Sequence, residues 1–121
     1  MRVLVAGATG AIGRQLVPRL VEAGHEVVGM TRDEGKGDAV RALGARPVVA
    51  DALDPDQVAA AVAAAEPEAI VNQLTAIASA TGLRNLDRAF APTNRLRTEG
   101  TDHLLSAART AGVRRFVAQS F

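Results

Sequence analysis

The stretch that most constrains this chain is Gly7-Ala8-Thr9-Gly10-Ala11-Ile12-Gly13. Arg2-Val3-Leu4-Val5-Ala6 precedes it, apolar and β-branched, and stops at Gly7. A short continuous apolar run suits a parallel strand buried on both faces. From Ala11 the period changes. Ile12, Leu16 and Leu20 recur every four residues, the spacing of one helical face. Gly24 follows as a C-terminal cap. Pro18 lies inside this pattern and removes a donor to Arg14, so a slight kink is expected rather than a break.

The alternation continues along the chain. Glu26-Val27-Val28-Gly29-Met30 reads as a second strand. A charged, glycine-rich loop and a short helix ending at Gly44 come next. Pro47-Val48-Val49-Ala50 reads as a third strand that stops at Asp51. Asp54-Pro55-Asp56-Gln57 is a helix start: Asp54 as N-cap, Pro55 in the first helical position, and Gln57 returning a bond to the cap backbone. That helix runs through alanines to about Ala65. Ala69-Ile70-Val71-Asn72-Gln73 reads as a fourth strand, and residues 76–92 as loop plus a short helix. From about Thr93 a longer helix places Leu96, Gly100, Leu104 and Ala108 on one stripe. A glycine on such a stripe lets the helix backbone lie close to its neighbours. Gly112 ends it, and Arg115-Phe116-Val117-Ala118-Gln119 reads as a fifth strand.

Strands alternating with helices imply an α/β fold, a doubly wound parallel sheet with helices on both faces. Right-handed crossovers set the strand order 3-2-1-4-5. Ligands of such sheets sit at the carboxyl ends of the strands, where the order reverses, here between strands 1 and 4. The glycine stretch lies at that point. Gly7 would allow the tight turn, Gly10 the close approach of a pyrophosphate, and Gly13 close packing of helix on strand. The helix N-terminus offers free N–H groups and partial positive charge to phosphates.

The spacing is GxxGxxG, and with Thr9-Gly10-Ala11-Ile12-Gly13 inside it the chain resembles the short-chain dehydrogenase/reductase superfamily. The nearer resemblance is to the extended and atypical branches, the NAD-dependent epimerase/dehydratase-like proteins with a Rossmann domain. It covers the whole chain and includes Gly24-His25-Glu26-Val27 and Gly100-Thr101-Asp102-His103-Leu104-Leu105. It implies dinucleotide contacts at Gly7, Thr9, Gly10, Ala11, Ile12 and Gly13, and adenine contact at Asp51 and Ala52. Beside the nicotinamide-side ribose the family has small residues. Here Gln73, Leu74 and Thr75 take that place, with backbone available but bulkier side chains narrowing the crevice.

Strand 2 ends on Thr31-Arg32. An acid at that place grips both ribose hydroxyls and repels a 2′-phosphate. A hydroxyl and a guanidinium instead suit a phosphate dianion. NADP(H) is therefore favoured, with NAD(H) possible because Asp33 and Glu34 follow at once.

Redox members of the superfamily use a Tyr, a Lys four residues later, and a Ser or Thr at the end of strand 5. A phenol with a pKa of about 10 needs a nearby cation to exchange protons at neutral pH. This chain has no Tyr, and its single Lys is Lys36. Ser120 is the one candidate for the hydroxyl. His25 is expected in a helix–strand corner and His103 on a polar helix face, neither at metal-ligand spacing.

The chain has 121 residues, no Cys and a net charge of +1. That bounds it to one domain, residues 1–121, without thiolate chemistry and without the field that attracts nucleic acid or membrane. With no leader pattern, a cytoplasmic setting is expected. Ending at strand 5 without a final helix reads as the N-terminal part of a longer protein. It leaves apolar surface beside strand 5 that a second copy could cover. The leading expectation is the NAD(P)-binding domain of an oxidoreductase or epimerase/dehydratase-like protein. The alternatives are an NADP(H)-sensing module of the NmrA-like kind and a structural fragment.

Overall fold

The computed structural model describes residues 1–74 and 96–118. Five strands form one parallel sheet: β1 (Arg2–Ala6), β2 (Glu26–Thr31), β3 (Arg46–Val49), β4 (Ala69–Asn72) and β5 (Arg115–Ala118). Their order is β3-β2-β1-β4-β5, as the alternation predicts. Val5 pairs with Gly29 on one side and Val71 on the other, so β1 is central.

Strand pleating sends alternate residues to two cores. Leu4, Ala6, Val28, Met30 and Ile70 face α3 (Pro55–Ala65) and α4 (Thr101–Ala111). Val3, Val5 and Val27 face α1 (Gly13–Glu22) and α2 (Gly37–Ala42), meeting Val17 and Val40. With few aromatics the first core is filled by small side chains. Val58, Ala61, Val62 and Ala65 of α3 meet Leu104, Ala107 and Ala108 of α4. Leu104 is fully buried there, so its truncation to Ala would cost about 2–5 kcal/mol. At the far edge of the sheet Phe116 packs on this core, while Val117 faces the other way and is 57% exposed.

Local chemistry sets the element ends. Asp54 Oδ1 accepts from Asp56 N at 3.0 Å and Gln57 N at 3.3 Å, with Pro55 opening α3. Gln57 differs from expectation. Its Oε1 accepts from Asp51 N at 2.9 Å, because Asp54 N already donates to the Asp51 carbonyl. Helix α1 starts at Gly13 rather than Ala11, since residues 10–12 complete the turn. Gly100, Leu104 and Ala108 are buried on the predicted stripe, but α4 begins only at Thr101, after a π turn over Leu96–Gly100. The expected loop and short helix over 76–92 lie outside the described residues. No helix among the described residues is long and apolar enough to cross a membrane.

Candidate functional site: a glycine turn at the reversal of the sheet

Gly7 leaves β1 with φ +80, a left-handed conformation that glycine adopts without strain. A Cβ there would also lie 2.4 Å from the Gln73 carbonyl oxygen. The turn thus passes directly over the end of β4. Gly13 is as tightly fixed: its added Cβ would stand 2.4 Å from Gly7 O and 2.6 Å from Ala8 O. That contact seats α1 on the turn.

Gly10 is different. An added Cβ would meet only Gly7 O, at 3.3 Å. The fold demands glycine less here than at Gly7 or Gly13, although a methyl would press on that oxygen. Around Gly10, the backbone N–H groups of Ala11, Ile12 and Gly13 have no acceptor among the described residues, because the first helical bond runs from Arg14 N to Gly10 O. No acidic side chain occupies the first turn of α1, and the N-cap, Ile12, makes no side-chain bond. Ile12 is 48% exposed beside these groups. Such a set of free donors at a helix start favours an anion.

The other predicted residues border the same end of the sheet. Thr31 closes β2 and is buried, its hydroxyl accepting from Asp33 N at 3.3 Å. The hydroxyl therefore serves the local turn. Arg32 is exposed. Asp33 Oδ1 accepts from Gly35 N at 2.9 Å, and this bond caps the 3-10 turn Glu34–Lys36. Asp51 Oδ1 accepts from Leu53 N at 2.9 Å, an Asx turn. Its other oxygen has no partner among the described residues, and Ala52 beside it is buried. Gln73 holds the turn through N to Ala6 O at 2.8 Å, while its buried side-chain Oε1 has no partner among the described residues. Thr75 and Ser120 lie outside the described residues.

Two contacts escape a reading of local pattern. Asn72, 4% exposed, donates from Nδ2 to Thr101 Oγ1 at 2.7 Å and accepts Leu74 N at 3.1 Å. This ties the end of β4 to the start of α4. The signal was present: an Asn closing a buried strand needs partners. His103 does not stand free on a polar face. Its Nδ1 lies 2.7 Å from the Ala52 carbonyl oxygen. Nothing in local spacing marks a contact over 51 residues. His25 occupies its helix–strand corner as expected, with Nδ1 buried and unpartnered among the described residues. No group of three or more metal-ligating side chains occurs among the described residues.

A parallel 3-2-1-4-5 sheet, with a glycine turn and a donor-rich helix start at its reversal point, defines a Rossmann dinucleotide-binding domain. The chain belongs to the NAD(P)H-binding family, whose profile matches residues 7–121. It is 54% identical, over 99% of its length, to a 3-diazoavenalumate denitrifying reductase from a Streptomyces species. It spans 38% of that reductase's length. Among solved structures it resembles a Bacillus halodurans protein assigned as an NAD-dependent epimerase/dehydratase. That match has a TM-score of 0.79 at 32% identity, over 98% of this chain and 50% of the other. The UDP-glucose 4-epimerase of Thermus thermophilus, solved with NAD, superposes with a TM-score of 0.78 at 26% identity. There the match covers 96% of this chain and 36% of the epimerase.

Proposed function

We propose that this chain is the N-terminal dinucleotide-binding domain, residues 1–121, of a longer NADP(H)-dependent reductase. The observation that carries the binding role is Gly10, where packing constrains a side chain less than at Gly7 or Gly13, set among free N–H donors. The donors of Ala11, Ile12 and Gly13 would hold the pyrophosphate, with Gly7 and Thr9 shaping the turn beneath it. The free oxygen of Asp51 and the Ala52 backbone would meet the adenine. Gln73 and its neighbours Leu74 and Thr75 would border the nicotinamide-side ribose, where the unpartnered Gln73 Oε1 suits a hydroxyl donor. When bound, the nicotinamide supplies hydride chemistry, and the protein orients it.

The described residues fit this cofactor. Its negative pyrophosphate matches the donor set, and the turn leaves room that a side chain at position 10 would fill. The chain has no Tyr, so a Tyr–Lys proton relay has no place in it. Ser120 is proposed as a substrate-oxygen contact. The 54% identity to a reductase supports reduction over epimerisation. Self-association through the β5 side belongs to the same reading, supported by the exposure of Val117.

Arg32 decides between the two dinucleotides. Asp33 spends one carboxylate oxygen on Gly35 N, whereas Arg32 is exposed at the strand end. Arg32→Ala is expected to weaken NADPH about ten-fold and NADH less than two-fold, as loss of one charge-assisted contact predicts. Titration of both cofactors measures this. Equal weakening would overturn the NADP(H) assignment.

A further inference from the structure

We propose that His103 is a positioning residue for the adenine end of the dinucleotide, acting through the Ala52 carbonyl. The proposal rests on the reading above that Asp51 and Ala52 border the adenine.

The loop after β3 is held mostly by itself. Asp51 N reaches Gln57, Leu53 N reaches Asp51 Oδ1, and Asp54 N reaches the Asp51 carbonyl. All these bonds span six residues or fewer. They fix the loop's shape and tie it to α3, while Ala50 N, donating to Thr31 O at 3.0 Å, ties its start to β2. His103 adds the hydrogen bond that ties the loop across to α4. Its Nδ1 stands 2.7 Å from Ala52 O. A carbonyl oxygen only accepts, so Nδ1 carries the proton and donates.

The helix that bears His103 is anchored in turn. One residue pair earlier, Thr101 Oγ1 accepts from the buried Asn72 at the end of β4. Gly100 sits against the same two places: its added Cβ would lie 2.9 Å from Leu74 Cδ1 and 3.4 Å from Ala52 Cβ. Between them, Gly100, Thr101 and His103 thus reach both the β3 loop and the end of β4. These segments are three places apart in the sheet, on either side of the glycine turn. The His103 bond therefore sets the distance between the adenine edge of the crevice and its pyrophosphate floor.

A positioning role makes a claim that a merely structural role does not. It predicts loss of discrimination at the adenine amino group, where Asp51 would accept. The probes are NADPH and its hypoxanthine analogue, which carries an oxygen in place of that amino group. The wild-type chain is expected to favour NADPH about ten-fold, the worth of one hydrogen bond to a charged acceptor. His103→Leu is expected to bring that ratio below about two-fold, with affinity for the analogue unchanged. His103→Asn places an amide N–H near the position of Nδ1 and should keep the ratio; His103→Gln places it near Nε2 and should lose it.

Equal wild-type affinity for the two probes would overturn the adenine reading, and this proposal with it. A wild-type preference that survives in His103→Leu would overturn the His103 role alone. Should the leucine variant not fold, the Asn and Gln pair decides: equal ratios in those two variants contradict the proposal.

Discussion

Gly7→Ala and Gly13→Ala are each expected to destabilise the fold by about 3 kcal/mol. At Gly7 two effects add. An L side chain at φ +80 costs roughly 1–2 kcal/mol, and the methyl would stand 2.4 Å from the Gln73 carbonyl. Relieving that contact moves backbone, not a flexible side-chain tip, so about 1–3 kcal/mol of overpacking follows. At Gly13 the backbone angle is ordinary, and the whole cost is steric, against Gly7 O and Ala8 O. Ala8 is fully buried in the core on the α1 face of the sheet, so its carbonyl cannot move aside without disturbing that core. Thermal unfolding is the measurement. A fall in Tm on the order of 10 °C is expected for each, and an unchanged Tm would show that the turn is not packed as described.

Gly10→Ala should behave in the opposite way. Its methyl meets one oxygen, at 3.3 Å, which a small shift of that oxygen relieves, so Tm should fall by no more than about 4 °C. The same methyl, adjoining the free N–H groups of Ala11, Ile12 and Gly13, is expected to hinder a pyrophosphate held by them. A pyrophosphate pushed away from them loses several charge-assisted bonds at once. NADPH affinity is expected to fall about 100-fold, or ~2.7 kcal/mol. The contrast among three glycines in one motif is the strongest internal test. A variant that loses stability and binding in parallel at position 10 would reduce the motif to a folding requirement.

Much of this was legible in the chain itself. The apolar run Arg2–Ala6 and the Asp54-Pro55 helix start each carry their meaning within a few residues; the period of Ile12, Leu16 and Leu20 marks the helix, but the residues it buries are Gly13 and Val17. Their sum fixes the strand order, because parallel crossovers have one hand. The different tasks of Gly7 and Gly13 follow from the same local logic.

What was not legible lies in contacts between distant segments. Gln57 has two backbone groups within reach, and local pattern favours the cap at Asp54. The folded loop turns Asp54 N onto the Asp51 carbonyl and leaves Asp51 N for Gln57. His103 is expected on a polar face from its residue type, yet it sits three residues after Gly100, beside the buried stripe. Only the docking of α4 beside the β3 loop brings Ala52 O within 2.7 Å. Asn72 and Thr101 are 29 residues apart, and each alone is an ordinary polar residue at an element end. The glycine turn could be read because it is local; the frame around it is held by tertiary bonds.

Binding itself is the central claim. Calorimetric titration of the chain with NADPH and with NADH tests it most directly. A saturable heat at one site, with NADPH binding tighter than NADH, is the predicted result. No heat and no competition from either nucleotide would contradict it.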